Sequence, residues 1–67
     1  MADLNWKEKR VVAALRTHGP LTLNELGWRC FPGVRPKEKR LSQVRNSLRK
    51  PGKMKLVRRV DEGTYDA

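Results

Sequence analysis

Hydrophobic residues recur at helical spacing along most of the chain, and the first such segment runs from Trp6 to His18. It places three apolar residues on one face of a helix: Val11, Val12 and Leu15. Asn5 is the predicted N-cap and Glu8 completes a capping box, with Asp3 as an alternative cap. Gly19 ends the predicted helix, because glycine readily adopts the backbone conformation of a helix C-terminus.

A second helix is predicted from its start signal more than from its length. Thr22 occupies the N-cap position and Glu25 the third helical position, which together form a capping box. Leu21 and Leu26 stand where a hydrophobic staple places its two residues. The turn Phe31-Pro32-Gly33 ends this short helix.

The third periodic segment predicts a helix over residues 36–50. Pro36 suits its first turn, and Pro51-Gly52 is expected to end it. A start at Ser42 is the alternative. The apolar residues of this helix form a narrow stripe at Leu41, Val44 and Leu48.

After Gly52 the pattern changes to one typical of β-strands. Residues 54–60 predict a strand, Asp61-Glu62-Gly63 a turn, and Thr64-Tyr65 a second strand. Two strands alone are not stable in water, so this hairpin must pack on the helices. The sequence therefore predicts an α+β fold over residues 1–67: a single domain of three helices followed by a C-terminal β-hairpin.

Positive charge is concentrated in one part of the chain. Residues 35–59 hold eleven Lys or Arg residues and one acidic residue, Glu38, so their formal charge is +10. The other residues carry a formal charge of −1, which makes this block the source of the chain's +9. Solvated helices usually mix charges of both signs, whereas a segregated basic helix is typical of nucleic-acid binding.

The residue inventory argues against other classes of function. We recognise no Cys-His or Ser-His-Asp set, and a single His and a single Cys are too few for a His/Cys metal site. We therefore expect no enzyme, metal or cofactor. Cys30 is expected to be a small buried hydrophobe, and Trp6 and Trp28 are expected to pack in the core or at its edge. No apolar run approaches the roughly 20 residues that span a membrane. We therefore expect no membrane contact, and a cytoplasmic (nucleoid-associated) or nuclear protein.

The order helix, helix, basic helix, hairpin resembles that of the winged helix-turn-helix family. The residues that carry the resemblance are the first helix, the capped start at 22–26, the segment 41–49 and the tail 56–65. The resemblance implies that the third helix lies in the DNA major groove and that the hairpin is a wing beside it. It implies a small transcriptional regulator. The acidic pair Asp61 and Glu62 would repel phosphates, so we do not expect the tip of the wing to contact DNA.

Side-chain chemistry divides the basic block into two sets. Amide and guanidinium groups pair with base edges in the major groove, so the candidate base contacts are Gln43, Arg45 and Asn46. Cations and hydroxyls contact the backbone, so the candidate phosphate contacts are Arg35, Lys37, Lys39, Arg40, Ser42, Arg49, Lys50, Lys53, Arg58 and Arg59. The expected partner is double-stranded DNA, bound by a monomer or weak dimer. The alternative is an interaction module whose basic face binds RNA or an acidic protein surface.

Overall fold

The computed structural model describes residues 3–67, in the order helix, strand, helix, helix, strand, strand. Three helices and a C-terminal hairpin confirm the predicted α+β, winged-helix-like layout. The elements are α1 (Trp6–His18), β1 (Leu21–Thr22), α2 (Leu23–Cys30), α3 (Lys37–Lys53), β2 (Arg58–Asp61) and β3 (Thr64–Asp66).

Both predicted capping boxes are present. At α1, the Glu8 N–H donates to the Asn5 side chain and the Asn5 N–H donates to the Glu8 carboxylate, each at 2.8 Å. At α2, Thr22 and Glu25 exchange the same two bonds at 3.0 and 3.1 Å. Asp3, the alternative cap, is not used. The starts of two helices are therefore set by bonds between residues three positions apart.

One hydrophobic core joins the three helices to the sheet. Leu21 and Leu26, the predicted staple pair, are both buried in it, and so is Cys30 as predicted. The buried hydrophobic residues are Val11, Val12, Leu15, Leu21, Leu26, Cys30, Phe31, Val44, Leu48 and Val57. Each helix contributes one face, so the opposite face of each is left to solvent.

Helix α3 differs from its predicted bounds at both ends. Pro36 is the N-cap instead of a first-turn residue, and the helix does not start at Ser42. It also continues through Pro51 to Lys53, so the expected end at Pro51-Gly52 is wrong. The Pro51 side chain is fully buried, and it lacks only the N–H that would bond the carbonyl of Ser47. Packing of the proline ring in the core offsets that loss.

The chain leaves α3 through a tight C-terminal turn. The Leu56 N–H donates to the Pro51 carbonyl at 2.9 Å, and the Lys55 N–H donates to the Gly52 carbonyl at 3.1 Å. This pair of bonds is a Schellman motif, which requires a left-handed residue between the helix and Leu56. Lys55 is that residue, with φ of 61°, where glycine is usual.

The sheet contains a strand that the sequence pattern did not predict. Leu21 and Thr22 pair with Tyr65 and Thr64 as the short antiparallel strand β1, which gives the order β1-β3-β2. The prediction assigned these two residues to the staple and cap of α2 alone. They serve both purposes, and β1 thereby attaches the hairpin to the start of α2.

The hairpin is also shorter than predicted. Strand β2 begins only at Arg58, since residues 54–57 form the turn and bend that follow α3. Asp61 belongs to β2 instead of the turn, and Val60 forms a bulge between Arg59 and Asp61. The reversal is made by Glu62 and Gly63, with Gly63 at φ of 72°. Thr64 and Tyr65 form a strand as predicted.

Candidate nucleic-acid interface

A straight row of exposed polar side chains runs along the solvent face of α3. Its members recur at intervals of three and four residues, which keeps them on one line of a helix. They are Lys39, Ser42, Asn46, Arg49 and Lys53, all exposed. Cations occupy the two ends of the row, and a hydroxyl and an amide occupy its middle. We call this the exposed row of α3.

The opposite face of α3 fixes the direction of this row. Val44 and Leu48 are buried there, together with Pro51, while Leu41 is half-buried. The Ser47 hydroxyl is also buried and donates to the Gln43 carbonyl at 2.7 Å, so it needs no solvent partner. Because this face is held by the core, α3 cannot rotate to present another set of side chains.

The three candidate base contacts do not lie side by side. Two positions along a helix are about 160° apart around its axis, so Gln43 and Arg45 point to opposite sides. Gln43 is half-buried whereas Asn46 is exposed, although both line a hollow beside the start of α1. Arg45 is exposed on the other flank of the helix. Of the three, only Asn46 lies on the exposed row.

Arg40 is not available for a phosphate, contrary to the sequence prediction. Its side chain is 5% exposed and crosses α2 at Gly27. The guanidinium carbon lies 3.9 Å from the centroid of the Trp28 ring, and one terminal nitrogen donates to the Val34 carbonyl at 3.3 Å. Arg40 therefore fastens α3 to α2 and the loop between them. Its spacing of four residues from Val44 is the sequence signal that places it on the buried face.

The remaining cations of this region differ in their exposure and in their hydrogen bonds to the protein. Arg35 and Lys37 are exposed at the start of α3 and remain candidates for phosphate contact. Lys50 is half-buried, and its ammonium donates to the Asp3 carbonyl oxygen at 2.6 Å. Through this bond, Lys50 ties α3 to the segment before α1. Lys55 is exposed in the turn after α3 and is a further cation that the sequence prediction omitted.

Arg58 and Arg59 do not form one patch on the hairpin. Successive side chains of a strand point to opposite faces, and the pairing partners differ accordingly. Arg58 lies opposite Asp66 in the strand pairing, and Arg59 lies opposite Tyr65. Both are exposed, but they serve different faces of the sheet.

The turn of the hairpin is bonded to the start of α2. The Leu23 N–H, at the start of α2, donates to the Gly63 carbonyl at 2.9 Å. The exposed acids Asp61 and Glu62 therefore lie near the helix start that also carries Glu25. The dipole of a helix favours negative charge near its N-terminus, so the start of α2 is a favourable place for these carboxylates.

The two tryptophans are more than half exposed, so neither packs in the core, and each lies against one buried residue. Trp6 is 61% exposed and meets Phe31 edge-on, with ring centroids 6.4 Å apart. Trp28 is 56% exposed and covers Arg40. Burial raises the pKa of the Cys30 thiol, which keeps that group in its neutral form.

Comparison with known proteins does not assign the chain to a family. No family model matches it, and no curated protein or solved structure matches it either. Within residues 3–67, no helix is long and apolar enough to cross a membrane. In the same span, no group of three or more His, Cys, Asp or Glu side chains is placed to hold a metal ion. The candidate site therefore has to be interpreted from its own geometry.

Proposed function

We propose that the protein binds duplex DNA with α3 in the major groove. The observation that carries the proposal is the exposed row of α3, with cations at its ends and neutral polar groups between them. A phosphate backbone attracts cations, whereas base edges are read by hydrogen-bonding groups. The row presents both kinds of group in the order that a groove requires.

The dimensions of a helix agree with those of the groove. The major groove is about 12 Å wide and admits one α-helix. Lys39 and Arg49 are ten residues apart, about 15 Å along the helix, so they flank the middle of the row and are placed to meet phosphates on either side of it. Ser42 and Asn46 then lie over the base edges. We therefore propose Ser42 as a base contact beside Asn46, in place of the phosphate contact that the sequence predicted.

The contacts that hold α3 against the rest of the protein support the same proposal. A helix held by Arg40 on α2 and by Lys50 on the segment before α1 is rigid before it meets a ligand. Rigid presentation reduces the ordering cost of binding and favours discrimination between sequences. Sequence-dependent occupancy of duplex DNA is the activity of a transcriptional regulator, and this is the role that we propose.

A basic face also attracts RNA or an acidic protein, and the shape of the nucleic acid separates these alternatives. The major groove of an RNA duplex is deep and narrow, so α3 cannot enter it. A DNA duplex therefore has to bind more tightly than an RNA duplex of the same sequence. An interaction that depends on charge alone would not distinguish them.

An NMR titration of the isotope-labelled protein tests the proposal. DNA and RNA duplexes of one sequence are added in turn at about 50 and 200 mM salt, because phosphate contacts weaken steeply over that range. We expect the DNA duplex to shift the amide signals of residues 35–53 most strongly and to bind more tightly than RNA. Equal affinity for both duplexes, or shifts centred on α1, would contradict groove binding by α3.

A further inference from the structure

A shallow groove lies on a different part of the surface, along the outer side of α1. It has a volume of about 380 Å³ and is formed by α1, the segment before it and the segment after α3. Four aliphatic residues form its apolar lining: Leu4, Val12, Ala13 and Leu56. Lys9 and Arg16 line it as well, and both are exposed. We call this the α1 groove.

The spacing of these residues indicates the shape of what fits there. Lys9 and Arg16 are seven residues apart, which is two helical turns or about 10 Å along α1. Val12 and Ala13 lie between them on the same side of the helix, as residues three and four positions on from Lys9. The groove thus offers an apolar strip with one cation near each end.

From this arrangement we infer that the α1 groove binds an acidic amphipathic helix of a partner protein. Such a helix buries its apolar residues in a groove through positions i, i+3, i+4 and i+7. Acidic residues two turns apart on it would meet Lys9 and Arg16. The charges of groove and ligand are then complementary, which favours encounter and sets orientation.

Two other occupants fit the groove less well. DNA phosphates would use the two cations and the hydroxyl of Thr17, which also lines the groove, but would gain nothing from the four aliphatic side chains. A second copy of the chain would bring Lys9 and Arg16 against another surface of a protein whose net charge is +9. Like charges placed together oppose association. An acidic ligand satisfies both parts of the groove.

A synthetic peptide serves as the probe. It carries Leu at helical i, i+3, i+4 and i+7 positions and Glu at the positions that flank this apolar face, and a scrambled peptide of identical composition lacks the apolar face. We expect the amphipathic peptide to shift amide signals at residues 9–17 and at Leu56 in an NMR titration. Binding by both peptides alike, or shifts confined to α3, would overturn the inference, because either result indicates attraction to positive charge in general.

A pair of variants separates the groove from net charge. Ala13→Glu places a carboxylate in the groove and should weaken peptide binding by at least about tenfold through like-charge repulsion. Arg10→Ala also lowers the net charge by one, but it alters an exposed α1 residue outside the groove lining and should leave peptide affinity within about twofold. Equal losses from both variants would count against the groove.

Two further measurements complete the test. Duplex affinity of Ala13→Glu reports on α3 independently, so failure of peptide binding leaves the DNA proposal open to its own experiment. Sedimentation of the protein alone reports on self-association. A dimer that Ala13→Glu dissociates would assign the groove to a second copy of the chain and overturn the inference.

Discussion

At the scale of single residues, the contact between Gly27 and Arg40 determines how α2 and α3 lie together. A Cβ atom placed on Gly27 would be 2.9 Å from the Cγ atom of Arg40 and 3.2 Å from its Cδ atom. These atoms belong to the stem of the side chain, so they cannot move away unless Arg40 leaves the Trp28 ring. The absence of a side chain at Gly27 is therefore what allows Arg40 to cross α2.

Gly27→Ala should destabilise the fold by about 1–3 kcal/mol, the usual cost of overpacking a buried site. The same change made in an Arg40→Ala background should be neutral, or stabilising by up to about 1 kcal/mol, because alanine is the better helix former. Urea denaturation of the four proteins in this cycle measures the coupling. Additive effects would show that the two residues do not oppose each other.

Gly52→Ala provides the control for that cycle. Gly52 is also helical, but no atom lies within 4 Å of the position that its Cβ would occupy. The substitution should therefore be neutral or stabilising by up to about 1 kcal/mol. It separates the helix propensity of alanine from the steric effect at Gly27.

Lys55 holds a left-handed conformation that glycine adopts at little cost. Lys55→Gly should stabilise the protein by about 0.5–1 kcal/mol, the strain relieved at the residue less the added freedom of the unfolded chain. Thermal denaturation measures the change. Lys55→Ala removes the same charge but keeps the strain, so a gain of similar size in that variant would assign the effect to charge instead.

At the scale of the elements, the capping box of α2 makes stability depend on pH. The bond from the Thr22 N–H is the main cause that holds the pKa of Glu25 below its ordinary value, and the charge of Arg29 adds to it. A carboxylate whose folded-state pKa is depressed stabilises the fold above the unfolded-state pKa. That contribution is lost as pH falls through the folded-state value.

Glu25→Gln should therefore remove part of the acid sensitivity of the fold. Glutamine can still accept the bond from Thr22 but does not titrate. We expect the stability difference between the parent protein and the variant to be larger at neutral pH than at about pH 3, below the range of ordinary carboxyl pKa values. Urea denaturation at the two pH values checks this, and identical pH profiles would show that the box does not respond to protonation.

The exposed row of α3 predicts two different responses to mutation. Asn46→Ala should reduce discrimination at a preferred base pair by about 1–3 kcal/mol while leaving nonspecific binding in place. Lys39→Ala should weaken binding to all duplexes and lower the salt slope by about 1. Fluorescence anisotropy with duplexes that differ at single positions, each measured over a range of salt, distinguishes these outcomes.

Gln43→Ala is the matched control for Asn46→Ala, since it removes an amide from the same helix. Both amides line the hollow beside α1, but Gln43 is half-buried and lies off the exposed row, whereas Asn46 is exposed on it. We expect its removal to leave sequence discrimination unchanged. If Gln43→Ala lowers discrimination as much as Asn46→Ala does, the assignment of base contacts by the row is wrong.

At the scale of the whole molecule, the exposed row of α3 and the start of α2 differ in the sign of their charge. Cations line the exposed face of α3, while Asp61, Glu62 and Glu25 lie around the start of α2. The bond between Leu23 and Gly63 ties the hairpin turn to the start of α2. The expectation that the tip does not contact DNA stays a prediction, and the fold supplies a physical reason for it.

Glu62→Lys should consequently leave the salt slope of duplex binding unchanged. Screening limits the reach of one exposed charge to about 8 Å at physiological salt, so affinity should change by less than about twofold. Ser42→Lys is the positive control, because it adds a cation to the exposed row and should steepen the slope by about 1. A steeper slope for Glu62→Lys would mean that the tip reaches a phosphate.

Features that depend on nearby residues could be predicted from the amino-acid sequence. The starts of α1 and α2 follow from capping boxes that join residues three positions apart, and the buried stripe of α3 follows from helical spacing. The segregation of charge in residues 35–59 is likewise a property of the chain alone. Such signals are readable because each interaction is closed within about one turn of helix.

Features that join residues far apart in the chain became visible only in the three-dimensional fold. Arg40 of α3 packs against α2 because Gly27 leaves space for its side chain and the Trp28 ring covers its guanidinium. Strand β1 exists because Tyr65 and Thr64 return to pair with Leu21 and Thr22. Helix α3 continues past Pro51, whose ring is fully buried, because burial of this apolar ring opposes the cost of proline in a helix. In each case the energy comes from a partner far along the chain, which no local pattern can specify.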